Sequence, residues 1–245
     1  MSNKKVSCII PAYNEARTVA GMVRTCLKSP DIAEVIAVND GSQDKTLEKL
    51  RTFGEKIKIV NLPKNRGKGY AITQGVKIAS HPYLLFLDAD LMNYENHHIF
   101  TLIYPVISNK ADMTIGIPVN LKGSTFLLWR FSGQRCLKKK DILPLISQIE
   151  KTNYGLEVIL NEAYKDKKIV VLPTIFNKKD RLFKMEKEPD WAASFAKEVW
   201  EIFLKTMSVK TASYRERAKT EFLKNLASYL RISYQKAKKY LVEEN

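Results

Sequence analysis

At 245 residues the chain has room for one large domain, or for one of roughly 190 residues with an appendage. A hydrophobic content of 45% suits a sizeable core and excludes a disordered or repetitive chain, while 41 Lys and Arg against 26 Asp and Glu, net +15, call for an anionic partner: nucleic acid, a phosphorylated substrate or lipid headgroups. Three cysteines, Cys8, Cys26 and Cys136, lack metal-like spacing, so they argue against a disulfide framework and for a reducing cytosol.

The first apolar run, Val6 to Ile10, stops at Pro11, too early for the core of a signal peptide. No stretch reaches the ~18 apolar residues of a spanning helix, so the expectation is a cytoplasmic protein, soluble or peripheral at the inner face of a membrane. Val6–Ile10 reads as a buried strand, and Pro11-Ala12-Tyr13-Asn14-Glu15 turns it into a helix carrying Val19, Met22, Val23 and Leu27. Val35–Val38 is a second strand that runs into Asn39-Asp40-Gly41-Ser42. The next helix starts near Gln43 and turns Leu47 and Leu50 inward. Ile57–Val60 is a third strand, and Asn65-Arg66-Gly67-Lys68-Gly69 leads into a helix through Ala71, Ile72, Val76 and Ala79. Glycines beside Arg66 and Lys68 let backbone and cations approach a phosphate, although the P-loop spacing is missing and a simple turn would also explain them.

Leu84-Leu85-Phe86-Leu87 is the fourth strand, and it delivers Asp88-Ala89-Asp90. One of these acids could cap the next helix and the other be solvated. Strands alternating with helices, however, imply βαβ units and a mostly parallel sheet whose carboxyl ends share one edge. Asn14-Glu15, Asp40 and Asp88/Asp90 would then gather in one cleft, and gathered carboxylates are costly without cations or donors. An Asp-x-Asp there offers hard oxygens for Mg²⁺ or Mn²⁺ on a diphosphate.

The first 120 or so residues resemble the nucleotide-sugar-binding half of a family 2 glycosyltransferase with the GT-A fold. Four motifs carry the resemblance in order: Ile9 to Glu15, Val38 to Asp44, Asn65 to Ala71 and Leu87 to Asp90. It implies an α/β fold, a GT-A (Rossmann-like) mostly parallel sheet flanked by helices, with a C-terminal helical extension. It further implies that Pro11, Ala12, Tyr13, Glu15, Asp40 and Gly41 hold the base and ribose of a UDP- or GDP-sugar. Lys68 and Gly69 lie near the phosphates, Asp88 and Ala89 near the ribose or sugar, and Asp90 on the metal, Mg²⁺ or Mn²⁺.

Beyond the fourth strand a helix is expected from Glu95 to Val106, ended near Pro105. His97 and His98 are adjacent rather than at ligand spacing, so they read as surface or packing residues. Ala111–Ile117 is a strand, and Phe126 to Phe131 is apolar cover near the acceptor side. Phe131-Ser132-Gly133-Gln134-Arg135 precedes a basic helical segment, Cys136 to Ile146. Then come a helix around Tyr154 to Glu162 and a strand, Ile169 to Pro173. This pair resembles the acceptor half of a subgroup that includes glucosyl-phosphoglycerate synthases and polyprenyl-phosphate sugar synthases. In that pattern Gly133, Gln134 and Arg135, with Glu157, face the sugar and the acceptor. A carboxylate in the first turn of a helix is also favoured by the helix dipole with no chemistry to do. The subgroup has a metal-binding histidine after the last strand, where this chain has Asn177, whose amide oxygen suits Mg²⁺ better than a softer ion. A Gln-x-x-Arg-Trp motif is absent, which favours transfer of a single sugar.

The expected division is a glycosyltransferase domain at 1–188, with halves 1–120 and 121–188, and a basic amphipathic helical extension at 189–245. From Asp190 onward there is no Gly or Pro, and Trp191, Phe195, Val199 and later Leu223, Leu226 and Leu230 recur at helical steps. The extension could pack on the domain or on the partner of a homodimer, or dock on an anionic membrane surface. Nucleic acid is disfavoured, because the aromatics lie in the apolar stripe rather than among the basic residues. The reading is therefore a metal-dependent transferase acting on an unknown hydroxyl or phosphate acceptor, lipid-linked or not. The alternatives are a GT-A-like scaffold at a membrane with weakened catalysis and, lower, a nucleotidyltransferase, which lacks support because no Gly-rich loop follows the first strand.

Overall fold

The structure, a computed structural model, describes residues 6–92, 94–118, 132–151 and 155–174. In chain order its elements are β1 (Val6–Ala12), α1 (Val19–Lys28), β2 (Glu34–Asp40), α2 (Thr46–Arg51), β3 (Lys58–Leu62), α3 (Lys68–Ile78), β4 (Tyr83–Phe86), α4 (Asn96–Ile107) and β5 (Met113–Pro118). There follow β6 (Arg135–Lys138), α5 (Lys139–Ile142), a 3₁₀ turn (Leu143–Leu145), α6 (Ile146–Ile149), α7 (Leu156–Ala163) and β7 (Ile169–Thr174). The strands form one sheet in the order β3-β2-β1-β4-β6-β5-β7. The β1–β2, β2–β3, β1–β4 and β5–β7 ladders are parallel, and only β6 runs against its neighbours.

The apolar runs become strands because both of their faces are covered. Along β1 and β4, Cys8, Ile10 and Leu85 enter a core shared with α1, α2 and α4. Ile9, Leu84 and Phe86 enter the opposite core, closed by α3, α6 and α7. Helix α1 turns Val19, Met22 and Val23 inward as its spacing predicts, but its last inward residue is Cys26, and Leu27 is 38% exposed. Cys8, Cys26 and Cys136 are all buried free thiols, with the first two sulfurs 3.6 Å apart.

Two further expectations need correction. Cys136 does not begin a helix: Arg135–Lys138 is a strand, and the helical character is confined to short turns from Lys139 onward. Cys136 and Leu137, both fully buried, project into opposite cores, and their backbone fills the slot between β4 and β5, which would otherwise leave two unpaired edges. Helix α4 also continues past Pro105 to Ile107. Proline in a last turn removes only one bond, and its carbonyl goes on to accept the N–H groups of Lys110 and Ala111 at 2.8 and 2.9 Å. The expected boundaries at 120 and 188, the apolar cover at Phe126–Phe131, Asn177 and the extension at 189–245 lie outside the described residues.

The end of the sheet away from the acids is fastened by Glu34. Its carboxylate accepts from the Ser7 hydroxyl (2.5 Å) and from the Ser80 amide and hydroxyl (2.9 and 3.0 Å), and it pairs with Lys58. Burial alone would raise its pKa, but the Lys58 ammonium and the serine donors hold it down at about 2. A carboxyl whose folded pKa is depressed stabilises fully above its unfolded value, and that contribution is lost as the pH falls through the folded pKa. Glu34→Gln should therefore cost about 1–2 kcal/mol at pH 7, a range set by hydrogen bonds to a charged group and limited by the half-exposed Lys58. Thermal melts of the two proteins should converge as the pH approaches 2, and an equal gap at both pH values would refute the electrostatic account.

Candidate active site

The parallel strands β1, β2 and β4 bring their carboxyl ends to one edge, and the loops there are stitched together before any ligand is considered. Pro11 and the buried Ala12 close β1, and Tyr13, 41% exposed, stands at the mouth. Asn14 takes a left-handed φ of 54°. Its amide donates to the Ser42 hydroxyl at 3.0 Å, and its side-chain oxygen accepts from the Gln43 amide at 2.9 Å. The Glu15 amide donates to Thr46 Oγ1 (2.7 Å), the Ala16 amide to Asp44 Oδ2 (3.1 Å), and the Thr18 hydroxyl to Glu15 Oε2 (2.9 Å). A cleft of about 360 Å³ lies between these two turns, lined by Asn14 to Arg17 with Gln43 and Asp44.

Asp40 holds the next loop. Its two oxygens accept from the Arg66 amide (2.8 Å) and the Gly67 amide (2.9 Å), and it is only 3% exposed. Burial raises its pKa in spite of these two donors and the charge of Arg66. Gly41 has a φ of +68°, and a Cβ built on it would lie 2.3 Å from the Lys64 carbonyl carbon, so the Asp40 turn and the basic loop meet at a point only glycine fits. Arg66 in turn stacks 3.9 Å over the Tyr70 ring.

The centre of the edge is a cluster of three charges. Lys68, the first residue of α3, places Nζ 2.7 Å from Asp88 Oδ1 and 3.4 Å from Glu157 Oε1. Asp88 follows β4; Glu157 sits in the first turn of α7 with its side chain 4% exposed. Gly133 covers the pair so closely that a Cβ there would be 2.1 Å from Lys68 Nζ and 2.6 Å from Asp88 Oδ1. Ala89 is buried and Asp90 half-buried in the turn after Asp88, and Gly69 is buried behind Lys68.

Arg135, on β6, is fully buried. Its Nε donates to the Ser132 carbonyl and its Nη1 to Asn161 Oδ1, both at 2.9 Å. Burial lowers its pKa to about 10 and the charge of Glu157 opposes that fall, so it remains a cation at neutral pH. Gln134, 5% exposed, accepts the Tyr94 hydroxyl at 3.1 Å. The structure thus unites Lys68, Asp88, Gly133 and Glu157, with Arg135 behind them; Pro11 to Glu15, Asp40 and Gly41 form the flank. His98 is buried against Tyr94 and accepts the Glu95 amide at 3.0 Å, while His97 is at the surface.

Thr46, Tyr94 and Asn161 were not singled out in the sequence. Asn161 had a signal: it stands four residues after Glu157, on the same helix face. Among the described residues, no three His, Cys, Asp or Glu side chains converge on one point. The chemistry of the turn is nevertheless compatible with a hard divalent ion, since the Asp90 carboxylate offers oxygen donors of the kind Mg²⁺ and Mn²⁺ prefer.

A mostly parallel sheet flanked by helices, with acids and a lysine gathered at its carboxyl edge, defines a protein of the GT-A fold. The chain belongs to the family described as Glycosyl transferase family 2, whose profile matches residues 7–153. Glucosyl-3-phosphoglycerate synthase from Mycobacterium tuberculosis, solved with Mn²⁺, UDP and glucosyl-3-phosphoglycerate, shares the fold at a TM-score of 0.60 and 17% identity, over 86% of this chain and 82% of that one. In sequence, the chain is similar to the poly-beta-1,6-N-acetyl-D-glucosamine synthase of Staphylococcus epidermidis (39% identical over 35% of this chain) and the dolichyl-phosphate beta-glucosyltransferase of Drosophila melanogaster (38% over 35%). It spans only 21% and 31% of the length of those two relatives.

Gly133→Ala tests the central cluster. The added methyl should drive Lys68 off Asp88; because the clashing atoms are the far ends of side chains, the overpacking cost should stay at about 1 kcal/mol and the melting temperature should fall by only a few degrees. Calorimetric titration with UDP and GDP should show nucleotide affinity reduced about tenfold, some 1.4 kcal/mol. Unchanged affinity would show that the Lys68–Asp88 geometry does not shape the site.

Proposed function

We propose that the protein is a metal-dependent glycosyltransferase that moves a single sugar from a UDP- or GDP-sugar to a hydroxyl or phosphate acceptor, lipid-linked or soluble. The observation that carries this reading is the Lys68 ammonium held between Asp88, on the donor side, and Glu157, on the acceptor side. The family membership and the metal- and UDP-bound glucosyl-3-phosphoglycerate synthase of the same fold support it.

In this reading the Pro11–Glu15 turn and the Asp40 loop receive the base and ribose. Asp40 acts largely through the Arg66 and Gly67 amides that it fixes. Lys68 exchanges Asp88 for a diphosphate oxygen when the donor arrives, and its charge then opposes the negative charge that builds as the anomeric C–O bond breaks. Asp90 is the residue that would hold Mg²⁺ or Mn²⁺, with Asn177 as a further candidate ligand, while Asp88 faces the ribose or sugar. The bound ion supplies charge neutralisation at the departing diphosphate.

The anomeric carbon passes through an oxocarbenium-like state while the acceptor oxygen attacks it. Glu157 takes the proton from a hydroxyl acceptor; a phosphate acceptor is already an anion and needs no base. Arg135 touches neither partner in this scheme. It is a positioning residue that sets a positive charge near Glu157 and anchors α7 through Asn161.

Nucleoside diphosphate sugars with Mn²⁺ or Mg²⁺ are expected to stabilise the protein by about 2.7 kcal/mol at a hundred times Kd, read as a rise in melting temperature that EDTA cancels. Asp90→Ala should abolish transfer. Lys68→Met should lower kcat by about 10²–10³ while KM moves less, as for the loss of a donor aimed at developing charge. Transfer undiminished in EDTA and in Asp90→Ala would sink the proposal.

A further inference from the structure

A second cleft opens at the other end of the sheet. Because β6 runs antiparallel to β4, Arg135 stands at the site end and Lys138 at the base, opposite Tyr83, the first residue of β4. A space of about 500 Å³ lies there, lined by Pro82, Tyr83, Lys138, Lys139, Lys140 and Leu143. Leu143 is 46% exposed, and Ile78, 41% exposed, precedes Ala79, whose carbonyl accepts from Lys139.

The three lysines are organised but not neutralised. Lys138 Nζ donates to Asn109 Oδ1 at 2.9 Å and Lys139 Nζ to the Ala79 carbonyl at 2.5 Å, both uncharged acceptors, while Lys140 is exposed. Among the described residues none of the three is ion-paired with a carboxylate. The adjacent Asp141 is engaged by the Tyr164 hydroxyl (3.2 Å) and by Lys167 (3.3 Å). Surface lysines commonly cover nothing but water. Here two of them are fixed in place beside an open apolar floor, and that pairing of fixed cations with an exposed Leu143 and a partly buried Tyr83 is the composition of a lipid-interface contact.

We infer that this lysine-rimmed cleft docks the protein on an anionic lipid surface, with Lys138, Lys139 and Lys140 taking headgroup phosphates and Leu143 and Ile78 entering the acyl boundary. Charge excludes the nearest competitors: a second copy carries net +15, and residues 175–245 are themselves basic in balance. The inference does not rest on the proposed reaction. It does orient it, because a sheet docked by its base points the Lys68 edge away from the bilayer, toward acceptors in water.

Flotation of the full chain with phosphatidylserine-containing vesicles, against pure phosphatidylcholine, tests the inference. The protein should float only with the anionic vesicles, and Lys138→Ala/Lys139→Ala/Lys140→Ala should weaken binding about a hundredfold, roughly fivefold per lysine. Lys140→Glu, at an exposed side chain, keeps the test open if the triple variant folds poorly, and should weaken binding by at least tenfold. Leu143→Ser should also reduce binding, which a site for free phosphate would not show. Failure of the wild type to float, binding unaltered in the lysine variants, indifference to Leu143→Ser, or release by millimolar inorganic phosphate would each overturn it, the last two in favour of a soluble anion or an acidic protein.

Discussion

The arrangement of the site depends on one cation shared by two carboxylates. Asp88 follows β4, and Glu157 lies in the first turn of α7; Lys68 reaches both. The two contacts are not equivalent. The Lys68 and Asp88 side chains are 26% and 30% exposed, so their attraction is screened and worth about 1 kcal/mol or less. The Glu157 side chain is 4% exposed, and a buried carboxylate without a counter-charge costs several kcal/mol. The magnitudes decide which contact can be given up. Lys68 can leave Asp88 for an incoming phosphate at little cost, whereas Glu157 needs positive charge nearby at every stage.

Arg135 answers that need from below. A fully buried guanidinium is itself expensive, and the chain meets the expense with Ser132 and Asn161 as acceptors and with Glu157 as counter-charge. The strand entering between β4 and β5 carries this side chain to full burial. The antiparallel β6 is thus both the structural filler of the sheet and the carrier of the charge behind the site. Gly133, two residues before Arg135, adds the complementary constraint by leaving no volume for a side chain over Lys68 and Asp88.

Much of this was legible in the sequence where the signal was local. The strands at Val6, Val35 and Leu84 announce themselves because residues buried on both faces form continuous apolar runs, and the polar turns that end them carry Asp40 and Asp88. Lys68 was visible through the glycines around it. Strand β6 was not, because its four residues expose their purpose only through distant neighbours: Leu85 lies opposite Cys136, while the run of lysines at 138–140 looks like an exposed helix face. Thr46, Tyr94 and Asn161 escaped for the same reason, since each bonds to a residue from another segment. The Asp40 contacts are a third case: a carboxylate at a strand end could be recognised, but not that both of its oxygens would be taken by the Arg66 and Gly67 amides.

The distribution of charge along the sheet also separates two roles that the net charge alone confounds. At the carboxyl edge acids and bases are in direct contact: Asp40 holds the Arg66 loop, and Asp88 and Glu157 share Lys68. Substrate phosphates there would exchange with existing partners rather than neutralise a surplus. At the base, Glu34 is fully engaged by Lys58 and two serines, while among the described residues no carboxylate pairs with Lys138, Lys139 or Lys140. Like charges held in a row repel, and a fold keeps them at a cost unless something outside the chain relieves it. A strongly basic transferase need not owe all of its charge to its donor, since three of the described lysines sit at the end of the sheet away from Lys68 and Asp88.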